Sequence, residues 1–237
     1  MSDLQPAYVL HAIPYKETSL IAELWTRDYG RLPALVRGAK RPHSALRSSL
    51  LAFQPLLVKF SGKGEVKNLT GCEWAGGHLP PEGRALFSAY YINELLMQCV
   101  QREDAQPDLF HLYANTIAKL ASHADIATTV RTFEFGLLQT MGFGVNFSTD
   151  ANNEPLLEGT VYRWVEYEGW RRVVGTAMPM AAEPVYHGEC LRRFQSNAAL
   201  DEAAAQQLKP LTRYLLRDYL QDSKLLSRIW MKELNRS

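Results

Sequence analysis

The sequence predicts an α+β chain, with a small five-stranded β-barrel followed by an α-helical domain that carries a β-hairpin insertion. Three observations predict it. Short, alternating, β-prone segments fill about the first seventy residues. Glycine and proline interrupt them at 76–81 (GGHLPP), and beyond that point apolar residues recur at spacings of three and four. The chain of 237 residues is 46% hydrophobic and 22% charged, enough material for two modest domains. The expected division is a barrel domain at 1–76 and a helical domain at 77–237, with a hairpin module at about 148–180.

Residues 7–13 form the first expected strand, which Pro14 ends. In 19–26, Leu20, Ala22 and Leu24 take one face and Ile21, Glu23 and Trp25 the other, after which 28–30 turns the chain. The third strand, 31–39, contains Pro33, best tolerated at an edge. A polar basic loop follows at 40–49 (KRPHSALRSS). The fourth strand, 51–60, sets Leu56, Val58 and Phe60 opposite Phe53, Leu57 and Lys59; SGKG at 61–64 makes a hairpin into the fifth, 65–73. Five short strands with one long loop between the third and fourth suit a closed barrel of the OB type, with an SH3-like barrel the nearest competitor.

Helices are expected at 84–100 and from Pro107, where proline suits a first turn. A third at 126–141 stops at Gly142 and Gly144. A hairpin is expected at 161–167 and 170–175 around Glu168-Gly169. Further helices are expected at 187–194, 201–220 and 224–234, with Pro210 breaking or kinking the second of these.

Whole-chain charge is uninformative at +1, but its distribution is not. Between Arg27 and Lys67 nine basic residues face only Asp28 and Glu65, a local +7 that leaves −6 for the rest. Such a segment suggests a surface for a polyanion, the alternative being a solvated basic face without a partner. Arg37, Lys40, Arg41 and Arg47 cluster after the third strand, and Lys59, Lys63 and Lys67 lie on the last hairpin, where Lys59 and Lys67 are expected to face each other across SGKG. A single-strand-binding surface needs such cations with aromatic faces beside them. Tyr15, Trp25, Phe53 and Phe60 are available, but the core is the commoner place for each and none is singled out.

Enzyme signatures are missing. There is no HExxH, GxGxxG, GxxxxGK[ST] or GxSxG, and Gly62-Lys63-Gly64 reads as a hairpin turn rather than a phosphate loop. Cys72, Cys99 and Cys190 are widely separated, outside any CxxC, and fit a reducing compartment. No catalytic residue and no cofactor are expected. With neither a signal-peptide pattern nor a long uncharged apolar stretch, the expected location is cytoplasmic.

Residues 7–41 (AYVLHAIPYKETSLIAELWTRDYGRLPALVRGAKR), 53–73 (FQPLLVKFSGKGEVKNLTGCE), 90–96 (YYINELL) and 133–147 (FEFGLLQTMGFGVNF) together resemble the bacterial RecO family of recombination mediators. The resemblance implies an N-terminal OB-fold, a helical domain and a small module that binds zinc in some members. It implies binding of single- and double-stranded DNA, annealing of complementary strands, and work with RecR to load RecA in gap repair. Nucleoid association is expected only from this resemblance. It also implies a grip on the acidic, phenylalanine-ended tail of the single-stranded-DNA-binding protein. For that tail the third helix offers Arg131, Phe135 and Leu138 at i, i+4 and i+7, while Val130, Phe133, Leu137 and Met141 make a second stripe; one of the two must be core. Arg192 and Arg193 could add positive charge.

The chain departs from zinc-bearing members. Residues 147–190 offer only His187 and Cys190 as soft ligands where a closed site needs four, so no metal is expected. Packing by Trp164, Tyr167 and Trp170 would stabilise the module instead. The competing readings are an OB-fold binder directed to RNA and an enzyme with an unrecognised site.

Overall fold

The computed structural model describes residues 4–42, 44, 46, 50–122, 124–174, 184–196, 202–220, 225 and 227. Chain contacts divide the molecule into two compact units, Met1–Ile126 with Tyr219–Ser237, and Ala127–Asp218.

The first unit opens with β1 (Gln5–Tyr15), β2 (Ser19–Thr26), β3 (Gly30–Val36), β4 (Leu56–Ser61) and β5 (Lys67–Trp74). They form a closed barrel in the order β1-β2-β3-β5-β4. The first three strands are an antiparallel meander, β3 runs parallel to β5, and β4 closes the ring by pairing Gln5–Ala7 of β1 with Val58–Leu56. This is the OB-like topology. Alternation decides which side chains enter the barrel: Ala22, Leu24, Leu32, Ala34, Val36, Leu56, Val58 and Phe60 are buried in one cluster. Alternating small and large residues such as Ala22 and Leu24 suit so narrow a barrel.

Two helices, α1 (Gly83–Cys99) and α2 (Pro107–Ala121), belong to the same unit. They cover the outward face of the meander, where Trp25 is fully buried against Phe110, and Tyr8 stacks edge-on against Tyr113 at 5.0 Å. Tyr113 donates to Asn93 Oδ1 at 2.7 Å, and Asn93 Nδ2 donates to the Leu10 carbonyl at 2.9 Å. Buried Glu23 accepts from Arg31 at 2.8 Å and from Arg102 at 2.9 Å, while Arg31 also donates to the Val100 carbonyl. Gly30 (φ 67°) lies against Asp104, whose carbonyl oxygen would be 2.1 Å from any added Cβ. That approach requires glycine.

The second unit holds α3 (Ile126–Thr140), a three-stranded sheet in the order β7-β6-β8, α4 (Gly188–Gln195) and α5 (Glu202–Leu215). The hairpin strands are β6 (Val161–Val165) and β7 (Gly169–Arg172), with the short β8 (Tyr186–His187) on the far side of β6.

Several boundaries differ from the sequence reading, each for a local reason. Strand β1 continues through Pro14, which pairs with Leu20, because β4 borders only Gln5–Ala7 and, among the described residues, leaves this end of the strand with one open flank. Strand β3 stops at Val36, where Gly38 (φ 71°) turns the chain. Strand β4 starts at Leu56 and not at 51, because Phe53 takes a left-handed φ of 68° and buries its ring edge-on against Tyr90. Helix α5 passes through Pro210 without a break. Pro210 and Gln206 are both exposed, so the helical hydrogen bond that the proline removes is lost on the solvent side of the helix. Most of the helix expected at 224–234 lies outside the described residues.

Candidate nucleic-acid interface

Strand register sorts the predicted cations into two groups. Leu20 pairs with Val36 and Tyr15 with Ser19, so the β1–β2 turn and the loop after β3 meet at one rim. Lys40 N donates to the Thr18 carbonyl at 2.9 Å, and Lys40 Nζ reaches the Lys16 carbonyl at 3.4 Å. Arg41 N donates to the Gly38 carbonyl at 3.1 Å, folding Arg41 back beside that glycine. Arg37, Lys40 and Arg41 are all exposed here. Lys59 joins them: β3 runs parallel to β5 with Leu35 opposite Asn68, and Gly71 of β5 is opposite Lys59 of β4. Lys59 thus lies near the level of Arg37, two strand spacings or about 10 Å away. Both point outward, since Val36, Val58 and Phe60 point in.

Lys63 and Lys67 fall elsewhere. The β4–β5 turn meets the β2–β3 turn, where Tyr29 stacks edge-on against Phe60 at 5.2 Å. Lys67 pairs with Ala34 of β3, not with Lys59, and its ammonium bonds Glu103 at 2.5 Å and the Gly64 carbonyl at 3.0 Å. Asp28 and Asp104 share that end of the barrel through their positions beside Tyr29 and Gly30. Arg47 lies outside the described residues.

The two ends differ electrostatically. Arg27, Arg31, Arg102, Arg131, Arg172 and Arg217 each reach an acid. Among the described residues, no acid lies within ion-pair distance of Arg37, Lys40, Arg41, Lys59 or Lys63. Glu17 is the one acid in the segments 16–18 and 37–42, against Lys16, Arg37, Lys40 and Arg41. Lys16 escaped the sequence reading because it precedes the basic run and sits beside Glu17; the hairpin turn it occupies was the available signal.

The residues expected to hold a protein tail are placed differently. Arg131, Phe135 and Leu138 are buried, as are Val130, Phe133 and Leu137, so both stripes of α3 face inward. Arg131 bonds Glu134 and the Thr212 hydroxyl, and Phe135 packs on Phe147 at 5.0 Å and Phe194 at 4.8 Å. Arg192 and Arg193 pair with Glu158 at 3.5 Å and Glu189 at 2.7 Å.

The described residues of the hairpin module do not gather into a zinc site. Cys190 is buried with its thiol against the Ala204 carbonyl, and His187 is exposed. Among the described residues, no three metal-capable side chains converge. An aromatic cluster occupies the module: Trp170 is buried, packs on Trp164 at 5.0 Å and Tyr186 at 5.3 Å, and donates to the Asn146 carbonyl at 2.7 Å. Tyr167 takes no part in it, standing 98% exposed at the hairpin tip. Beside the cluster, Asp150 accepts from the backbone of Asn152 and Glu154 and from Arg172 at 3.0 Å. Burial pushes the Cys72 and Cys99 thiols up to about 11, which keeps them protonated and poor nucleophiles. No helix among the described residues is long and apolar enough to cross a membrane.

The fold and this rim define a class: an α+β protein with an OB-like barrel, a cationic lip and a following helical part. Family comparison narrows it. The models for the recombination protein O N terminal and C terminal match residues 1–78 and 81–229. The DNA repair protein RecO of Ralstonia nicotianae is 43% identical over 94% of this chain and 82% of its own length. Those of Aromatoleum aromaticum and Dechloromonas aromatica are each 40% identical over 98% of this chain and 96% of their own. The chain belongs to the RecO family, and its homologues support a role in DNA repair.

Proposed function

We propose that this protein is a DNA-binding recombination mediator that anneals complementary single strands and assists RecA loading in recombinational gap repair. The observation that carries the reading is the rim formed by Lys16, Arg37, Lys40, Arg41 and Lys59, whose charges no described acid neutralises. Annealing breaks and forms no covalent bond. Two strands repel through their phosphates, and a cationic surface lowers that repulsion while the base edges stay free to pair. Catalytic groups are not needed, and the reading assigns none. Contact with about five phosphates of a single strand would give a log–log salt slope of about −3.5.

RecR, the tail of the single-stranded-DNA-binding protein and RecA are the partners that membership of the family suggests. A tail site built on Arg131, Phe135 and Leu138 would require these side chains to leave Glu134, Thr212 and the aromatic cluster, a cost that makes an open surface the better place to seek it.

The test is annealing of complementary strands, bare and coated with single-stranded-DNA-binding protein, by the wild type and by Arg37→Glu/Arg41→Glu. Both positions are exposed and without described acid partners, so the fold should survive. The double variant is expected to slow annealing and to flatten the salt slope by about 1.4. Unchanged binding and annealing would remove the rim as the DNA site.

A further inference from the structure

We infer that Tyr15, at the tip of the β1–β2 hairpin, is a platform on which an unpaired base stacks, so that the rim favours single strands over duplex. The inference rests on the DNA-binding reading and adds to it a residue and a substrate class. Five aromatics accompany the basic segment in sequence, Tyr15, Trp25, Tyr29, Phe53 and Phe60, and the fold withdraws three of them. Trp25, Phe53 and Phe60 are buried, each packed against another ring. Tyr15 is 38% exposed and makes no ring contact among the described residues.

Its setting suits a base. Tyr15 pairs with Ser19 in the last register position of the hairpin, so its backbone is held while a small neighbour stands opposite. The Lys16 ammonium lies 5.4 Å from the ring centroid, where it can polarise the ring and meet the phosphate of a stacked nucleotide. Lys40 ties this turn to the loop bearing Arg37 and Arg41, so the ring and the unpaired cations form one surface. Residues 11–15 are all exposed, leaving the approach open.

Other exposed aromatics lack this combination. Tyr29 packs edge-on against Phe60 and neighbours Asp28, and Tyr167 is flanked by Glu166 and Glu168, which repel phosphate. Trp74 pairs with Leu56 and follows Glu73. A duplex keeps its base faces stacked inside, so only a strand with unpaired bases can use Tyr15.

The probes are labelled oligodeoxythymidylate, an abasic strand of equal length, and a duplex. The wild type is expected to bind oligodeoxythymidylate more tightly than the abasic strand. Tyr15→Ala should lose roughly 5- to 100-fold on oligodeoxythymidylate alone, with its salt slope unchanged, because a stacking contact and no phosphate contact is removed. Tyr15→Trp should retain wild-type binding. The inference is overturned if Tyr15→Ala binds all three probes as the wild type does, or weakens on all three alike. A wild type that binds none of the probes overturns the DNA-binding reading itself, and this inference with it.

Discussion

Lys67, on β5, and Arg37, just past the end of the neighbouring β3, carry the same charge, yet of the two only Arg37 is open to a polyanion. Lys67 is held by Glu103, and a phosphate would have to compete with that carboxylate and with the nearby Asp28 and Asp104. Lys67→Ala is therefore expected to leave the salt slope unchanged and single-strand affinity within about twofold, measured by fluorescence anisotropy; an exposed pair of this kind contributes little to stability either. A slope flattened by about 0.7 would return Lys67 to the DNA site. The sequence supplies the identity and rough grouping of these cations. It cannot supply their partners, since Glu103 lies 36 positions from Lys67 and only the closed barrel with its following helix brings them together. Tyr15 shows the same limit: nothing local marks it as an aromatic left outside, because burial of Trp25, Phe53 and Phe60 depends on α1, on the barrel interior and on Phe110.

Among the elements, the strands and helices were legible wherever a period ran uninterrupted, as in β2 with its alternation of Leu20, Ala22 and Leu24. They were misread where one residue's backbone overrode the pattern, as Phe53 does before β4, or where solvent relaxed a rule, as at Pro210. The β6–β7 hairpin was placed correctly, but not what holds it. Desolvation pushes the Asp150 carboxyl up, yet the amides of Asn152 and Glu154 and the Arg172 guanidinium outweigh it and keep the carboxyl below its ordinary range. A lowered folded value means the unfolded chain takes up the proton first as pH falls. The clamp's contribution is thus full at neutral pH and is lost as pH drops below about 4. Asp150→Asn should lower the urea midpoint at pH 7, with the gap to the wild type narrowing towards pH 3, followed by tryptophan fluorescence. A gap that is constant across this range would show that the carboxylate charge contributes nothing to the clamp.

For the whole molecule, barrel-then-helices was readable because the hydrophobic period changes at 76–81, and family membership because four blocks occur in order. What holds the hairpin module was only half readable. Trp164 and Trp170 take the roles expected of them, while Phe135, Phe147 and Phe194, far apart in sequence, complete a cluster that no spacing reveals. If that cluster replaces a metal, then EDTA should leave both the thermal midpoint and the annealing rate unchanged, and metal analysis should find no stoichiometric zinc. One zinc per chain would reverse this conclusion.

The far half of β1 has a consequence for how the molecule keeps to itself. Past Leu10, whose carbonyl Asn93 occupies, the strand runs on with no paired neighbour on the β4 side among the described residues. Such a margin invites a second copy to zip on, hydrogen bond by hydrogen bond. Pro14 has no amide hydrogen to offer and sits near the end of that margin, next to Tyr15. Should the lip take a passing polymer as proposed, Pro14 helps to keep a second copy from covering it.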